Sequence, residues 1–345
     1  MNTSTMKRGL IVLSAFSALA FSTAYTPSAQ AQAKEVVIAY QDMVVPWRYA
    51  QATGEVERAT GYKVTYRKLG SGADVIRALA SGSVQLGEAG SSPIAAGLSQ
   101  GVDLSLFWIL DNINDAEALV ARDGSGVTSV KQLTGKKVGV TFVSTSHFHT
   151  LVALQSAGVN PSDVKIVNLR PPEIAAAWER GDIDATYVWD PVLAKAKKNG
   201  KVLITSGEVA KATGKATFDG FVADRKFATA NKEFLDRFVK VLAATDASYR
   251  DHPQTWAVGS PQVAAVAKES GANAADVPAS LALYAFPTAA QQASNVWLGG
   301  GKQSGAAKSL AATAAFLKEQ GTIQAVLPDY SVGVDPQFAQ RAAAR

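Results

Sequence analysis

The chain has 345 residues, 47% hydrophobic and 18% charged, with 28 Gly, 13 Pro and no Cys. That length and composition support a core divided over two or three globular units and exclude a mainly disordered, collagenous or disulfide-stapled protein. The missing cysteines exclude thiol catalysis, cysteine-ligated zinc or iron–sulfur centres and a lipid-modified N-terminal cysteine, and a net charge of +5 is too mild to point to nucleic acid.

The chain opens on the pattern of an export signal. Lys7 and Arg8 form a basic start, Gly9 to Ala20 is an apolar run, and Ala29-x-Ala31 and Ala31-x-Ala33 both fit the small-residue cleavage rule. The run is shorter than the roughly 20 apolar residues that a membrane span needs. Cleavage near Ala31 or Ala33 would remove residues 1–33 and leave a soluble periplasmic protein of net charge +3, since Lys7 and Arg8 go and no acid does.

Beyond the signal the sequence repeats its own plan. Val36 to Tyr40 and Lys137 to Phe142 both read as buried strands. Val64 to Leu69 and Val164 to Leu169 are second strands, each followed by a helix, Ala73 to Ser81 and Glu173 to Arg180. Gly82 and Gly181 then sit where a helix end needs positive φ. Third strands follow at Val84 to Ala89 and Ile183 to Val188. Each copy thus reads β-α-β-α-β, the plan of a parallel sheet covered by helices. The expected fold is α/β: two lobes with mixed, mostly parallel sheets, joined by a two-strand hinge.

The hinge strands are expected at Ala118 to Ala121 and Gly220 to Ala223. Residues 34–120 would form the first part of lobe one, 121–221 lobe two, and 222–345 the rest of lobe one with C-terminal helices. Helical stripes are expected over Asn231 to Tyr249, Gln262 to Glu269 and Lys308 to Gln320.

Ligands of open parallel sheets bind at the carboxyl ends of strands. The loops at Gln41, at Ser71, at Ser91-Ser92-Pro93, at Ser144-Thr145-Ser146-His147, at Arg170 and at Trp189-Asp190 should therefore line a cleft between the lobes. Ser91-Ser92 and Ser144-Thr145-Ser146-His147 each open a helix, where free N–H groups, the dipole and hydroxyls suit an anion. Sulfonate, sulfate and carboxylate all qualify. Glu117 and Asp219 precede the crossing strands and would draw a cationic group into an otherwise neutral cleft, with Asp111, Asp115 and Asp190 as weaker candidates. Trp189 is placed to stack on a ligand.

Catalytic and metal patterns are thin. Gly90-Ser91-Ser92 is not a nucleophile elbow, His147-x-His149 is a poor zinc spacing, and Gly299-Gly300-Gly301-Lys302 lacks the P-loop spacing. No metal or cofactor is expected.

These residues resemble a known family. Ser71-Gly72-Ala73, Arg77 to Gly82, Gly90 to Pro93, Glu117 to Val120, Ser144 to His147, Val167 to Pro172, Ala176 to Asp184, Tyr187 to Trp189, Phe316 to Gly321 and Asp329-Tyr330 are similar to the aliphatic sulfonate, nitrate and taurine substrate-binding proteins of bacterial ABC importers. The stretch from Pro171-Pro172 to Trp189, with Asp219, is more particular to the taurine branch. The resemblance implies a type II periplasmic binding fold. It also implies that the serine loops hold a sulfonate, that Glu117 and Asp219 hold an amine, and that a monomer delivers its ligand to a permease with a separate ATPase. Asp190 departs from some relatives, which carry a neutral residue there. The alternatives are a sulfonate without an amine, a quaternary amine walled by Trp189 and Tyr40, and, from a different class, an enzyme like the thiamine-pyrimidine synthases.

Overall fold

The computed structural model describes residues 34–344, so the export signal expected over residues 1–33 lies outside the described residues. Two five-stranded sheets carry the architecture. The strands are β1 (Glu35–Tyr40), β2 (Lys63–Lys68), β3 (Leu86–Gly90), β4 (Leu104–Asn112), β5 (Glu117–Arg122), β6 (Lys137–Val140), β7 (Lys165–Asn168), β8 (Ala185–Trp189), β9 (Gly200–Thr205) and β10 (Phe218–Asp224). The first sheet is ordered β2-β1-β3-β10-β4 and the second β7-β6-β8-β5-β9.

The repeat read from the sequence is present. β1 lies parallel between β2 and β3, as β6 lies parallel between β7 and β8. Each sheet then accepts one antiparallel strand from beyond its own repeat: β10 between β3 and β4, and β5 between β8 and β9. The parallel strands β3 and β8 are buried along their whole length, including Glu88 in β3 and Thr186 in β8. Gly82 and Gly181 end the equivalent helices at φ 71° and 75°, a conformation that costs glycine little.

The strand pairing moves the expected boundaries. Those set after 120 and 221 fall inside β5 and β10, and each of these strands is hydrogen-bonded into a single sheet along its length. The strands do not cross; the chain does, over residues 113–116 and 206–217. The crossings touch where the Ile113 N–H donates to the Thr217 carbonyl at 3.3 Å, and Thr205 Oγ1, at the end of β9, donates to Asp115 Oδ1 at 2.5 Å. β4 and β9 were not expected from the sequence. β4 reads LSLFWILDN, with Ser105 the one polar residue among its first seven, a run that periodicity does not separate from a buried helix.

A large core runs through the first lobe, where Trp47, Phe107, Phe221 and Phe238 pack around the first sheet, and extends to Trp178 and Val188. A second cluster, including Leu119, Leu133, Val138 and Tyr187, lies in the second lobe. The C-terminal helices cover the first lobe, led by Lys232–Asp251, whose Phe234, Leu235, Phe238 and Leu242 are buried. Among the described residues no helix is long and apolar enough to cross a membrane.

Candidate functional site

The carboxyl ends of β1, β3, β6 and β8 face a single pocket. β10 and β5 run antiparallel to their neighbours, so their N-terminal ends reach the same edge and bring Asp219 and Glu117 to it. Gln41, Met43, Gly72, Gly90, Pro93, Glu117, Ser144, Thr145, Trp189, Asp219 and Tyr284 line the pocket.

The two lobes meet closely around it. A Cβ on Gly90 would lie 2.8 Å from Thr145 Cγ2 of the other lobe. Trp189 Nε1 donates to Asp42 Oδ1 at 3.4 Å across the cleft. At its rim Arg170 NH2 donates to Asp74 Oδ1 at 3.3 Å. The arrangement is that of a closed trap.

Two helix starts converge on the pocket. Helix Ser91–Ser99 follows β3 and has no side-chain cap. Its first-turn N–H groups and positive dipole end point to the cleft edge. Helix Thr145–Ser156 begins in the other lobe, where Ser144 Oγ accepts only the His147 N–H. The Ser92 and Ser146 hydroxyls are buried and have no hydrogen-bond partner among the described residues. The turn into the second helix holds Val143 at φ 64°, a left-handed conformation that is rare for a β-branched residue. Such strain, on the order of 1–3 kcal/mol, concentrates where a site fixes the backbone. The two helices follow β3 and β6, which are not equivalent strands of the repeat.

Glu117 and Asp219 supply the acids. Thr145 Oγ1 donates to Glu117 Oε1 at 2.5 Å. Burial pushes the Glu117 carboxyl up to about 7, and the hydrogen bonds from the Thr145 and Ser206 hydroxyls counter part of that rise. Asp219 is raised by burial first and then by the charges of Glu117 and Glu88. Asp111 stands opposite Asp219 in the β10–β4 pairing and is buried. Burial first and then the Asp219 charge raise Asp111, and neither of its carboxyl oxygens has a hydrogen-bond partner among the described residues.

A buried ion pair stiffens the wall. Arg48 and Glu88 are both fully buried and bonded to each other. Glu88 also accepts from the Gln41 N–H at 2.6 Å and from Trp47 Nε1 at 2.8 Å, while Arg48 NH2 donates to the Gln41 carbonyl at 2.7 Å. The Gln41 loop is thereby pinned at the pocket.

Of the residues singled out from the sequence, Gln41, Glu117, Ser144, Thr145, Trp189 and Asp219 line the pocket. Ser71, Ser91, Ser92, Ser146, His147 and Asp190 are not among the residues lining it. Ser71 caps helix Gly72–Ala80, exchanging hydrogen bonds with Asp74. Ser91 Oγ accepts the Phe218 N–H at 3.4 Å, and Ser92 and Ser146 are buried beside the helix starts. His147 turns away: it stacks on Phe142 at a surface pocket, and its Nδ1 accepts the Val143 N–H. A helix covers a full turn in 3.6 residues, so a cap segment cannot present all its side chains to one side. Asp190 accepts the Ala194 N–H at 2.6 Å and holds the start of the next helix rather than a ligand. Met43 and Tyr284 were not foreseen. Tyr284 reaches the site from far along the chain, held by the Asn112–Ala285 bridge, and has no local signal.

A family model described as NMT1/THI5 like matches residues 58–256. The chain belongs to this family. Within the NMT1/THI5-like family it is similar to the taurine-binding periplasmic protein of Escherichia coli (strain K12), with 38% identity over 311 residues, covering 90% of this chain and 94% of that one. A putative aliphatic sulfonates-binding protein of Bacillus subtilis (strain 168) is 30% identical over 254 residues, covering 72% and 75%. The structure of the alkanesulfonate-binding protein SsuA from Xanthomonas axonopodis pv. citri bound to MOPS matches with a TM-score of 0.72 at 24% identity, over 88% of this chain and 99% of that one. That likeness shows the fold, and the two-lobed α/β architecture expected of a type II periplasmic binding protein is the one observed.

Proposed function

We propose that this chain is the periplasmic substrate-binding component of an ABC importer and that its ligand is taurine. The observation that carries the reading is the pairing of opposite demands in one small pocket. Two buried acids, Glu117 and Asp219, line the same space as Ser144 and Thr145 at one helix start and Gly90 at another. Taurine bears a sulfonate and an ammonium two carbons apart. The helix starts would hold the first and the carboxylates the second. Contacts from both lobes are complete only in the closed form, so the ligand shifts the population toward closure. The closed form would then dock on a permease driven by a separate ATPase.

The close relationship to a taurine-binding periplasmic protein supports the same reading, as does the export signal expected over residues 1–33. A pyridoxal-bearing enzyme would need a lysine at the site, and none of the pocket-lining residues is a lysine, which favours carriage over catalysis. Calorimetry of the purified protein against taurine, ethanesulfonate, sulfate and glycine betaine tests the proposal. Taurine should bind tightest; equal affinity for ethanesulfonate would remove the amine from the recognition.

A further inference from the structure

Behind Glu117, away from the pocket, runs a line of buried polar groups that holding a ligand does not by itself require. Glu117 Oε2 lies 3.3 Å from Ser206 Oγ, which lies 2.7 Å from His149 Nδ1. His149 Nε2 lies 2.8 Å from the Lys215 carbonyl oxygen. The Tyr187 hydroxyl meets the same Ser206 Oγ at 3.0 Å. All four side chains are buried.

Counting donors places the hydrogens. A carbonyl only accepts, so His149 Nε2 carries a hydrogen toward Lys215. Ser206 is the partner of the Tyr187 hydroxyl among the described residues, so the phenol donates to it. Ser206 then has one hydrogen and two remaining neighbours. If it donates to His149 Nδ1, the imidazole is neutral, and the Glu117–Ser206 contact needs a protonated Glu117. If it donates to Glu117, that carboxyl is ionised, and Nδ1 must bring its own hydrogen, making an imidazolium. An ionised Glu117 with a neutral imidazole would leave two buried acceptors face to face, a costly arrangement. The two consistent arrangements hold the same single proton at opposite ends.

We propose that Glu117, Ser206 and His149 form a proton relay that keeps its proton on Glu117 until a cationic group reaches the cleft, then passes it to His149. The step balances within the chain. The Glu117 Oε2–H bond breaks as Ser206 Oγ takes that proton, and the Ser206 Oγ–H bond breaks as His149 Nδ1 takes the other. Glu117 becomes a carboxylate and His149 an imidazolium, with no proton exchanged with solvent. The inference rests on the proposed role of Glu117 toward the ligand's amine.

The surroundings agree with the resting arrangement. Burial raises Glu117 to about 7 and lowers His149 to about 4, so the proton belongs on the acid. Thr145 and Ser206 are hydrogen-bonded to Glu117, and the charges of Glu117, Glu208 and Asp115 reach Tyr187 from their own elements. No lysine or arginine side chain is among the groups that shift Glu117, His149 or Tyr187. An ammonium against Glu117 in a low-dielectric cleft is the interaction that reverses the order.

Nitrogen-15 NMR of histidine-labelled protein tests the relay. At neutral pH and without ligand, His149 should be the neutral Nε2–H tautomer; with taurine both ring nitrogens should be protonated; with ethanesulfonate it should stay neutral. Infrared spectra of the ligand-free protein at pH 6 should contain a protonated carboxyl band that Glu117→Gln removes. Calorimetry in two buffers of different ionisation enthalpy should give almost no proton exchange for taurine. His149→Gln, which keeps both hydrogen bonds but takes no proton, should release close to one proton per taurine and bind about tenfold more weakly. Ser206→Ala should do the same and serves if the first variant folds poorly. A neutral His149 in the taurine complex, or His149→Gln binding taurine without proton release, would overturn the relay. So would an imidazolium, or a missing Glu117 band, in the ligand-free protein. Those two ligand-free results stand even if taurine gives no heat at all, which would instead sink the functional reading.

Discussion

Replacing Asp219 by Asn separates recognition of the ammonium from recognition of the sulfonate. Asp219 sits second in β10, its backbone paired with Gly90 on one side and Asp111 on the other, so an isosteric change leaves the strand in place. It lines the pocket and is 7% exposed, which makes any charge on it count. Losing a hydrogen bond to a charged group costs about 1.5–3 kcal/mol, which is about 10- to 150-fold in affinity. Glu117 remains to meet the ammonium, so the lower half of that range is expected. Ethanesulfonate has no amine and should change by less than about threefold, within the usual context dependence of such terms. The same variant should make the ligand-free protein more stable. Burial and the Glu117 and Glu88 charges all work against an ionised Asp219, and Asn removes that cost. Calorimetry at pH 7 on protein stripped of carried ligand gives the affinities, and a melting curve gives the stability. Equal losses for taurine and ethanesulfonate would show a structural defect, and an unchanged taurine affinity would refute the assigned role outright.

Gly90→Ala should fold but lose taurine binding by more than about tenfold, since its Cβ would stand 2.8 Å from Thr145 Cγ2 and block closure, which calorimetry and small-angle scattering would register. Arg170→Ala should weaken binding by no more than about fivefold, and less at high salt, because the Arg170–Asp74 pair lies at the exposed rim, checked by titration at two ionic strengths. Ligand-free stability should fall as pH rises. Glu117 and Asp246 are raised to about 7 and about 8, so their contribution is full below their unfolded values and is lost as pH climbs through those points. Melting temperatures from pH 5.5 to 8.5 check the slope, and Glu117→Gln should flatten its lower part.

The parts of this molecule that sequence made legible are those with local causes. The buried strand β1 shows as the apolar run Val36 to Tyr40, and Gly82 and Gly181 mark helix ends because positive φ is a property of one residue. Glu117 and Asp219 are legible because each is an acid immediately before a short apolar segment, Ala118 to Ala121 and Gly220 to Ala223. The failures are non-local. Tyr284 is brought to the pocket by a bridge between Asn112 and Ala285, far apart in sequence. Arg48 and Glu88 find each other across 40 residues and leave no pattern in either neighbourhood. Asp190 and Ser71 show the opposite error, in which a side chain near the cleft in sequence is consumed by capping the helix that follows it.

The repeat also explains why two acids face one pocket. Glu117 pairs with Trp189, the last residue of β8, as Asp219 pairs with Gly90, the last residue of β3. The two acids therefore hold the same place in the two sheets, and closing the lobes brings them together. Their like charges oppose each other, since the Glu117 charge raises Asp219. A closed cleft tolerates that pair only with a positive charge between them or with a proton on one of them. On the relay proposed above, Glu117 keeps that proton until an ammonium arrives, and the ammonium then takes over its electrostatic task while His149 stores the proton. A sulfonate without an amine offers no such replacement, so it gains the helix starts but not the relief between the acids. Selectivity for a zwitterion then follows from the duplicated fold, with closure and charge recognition drawing on the same pair of residues.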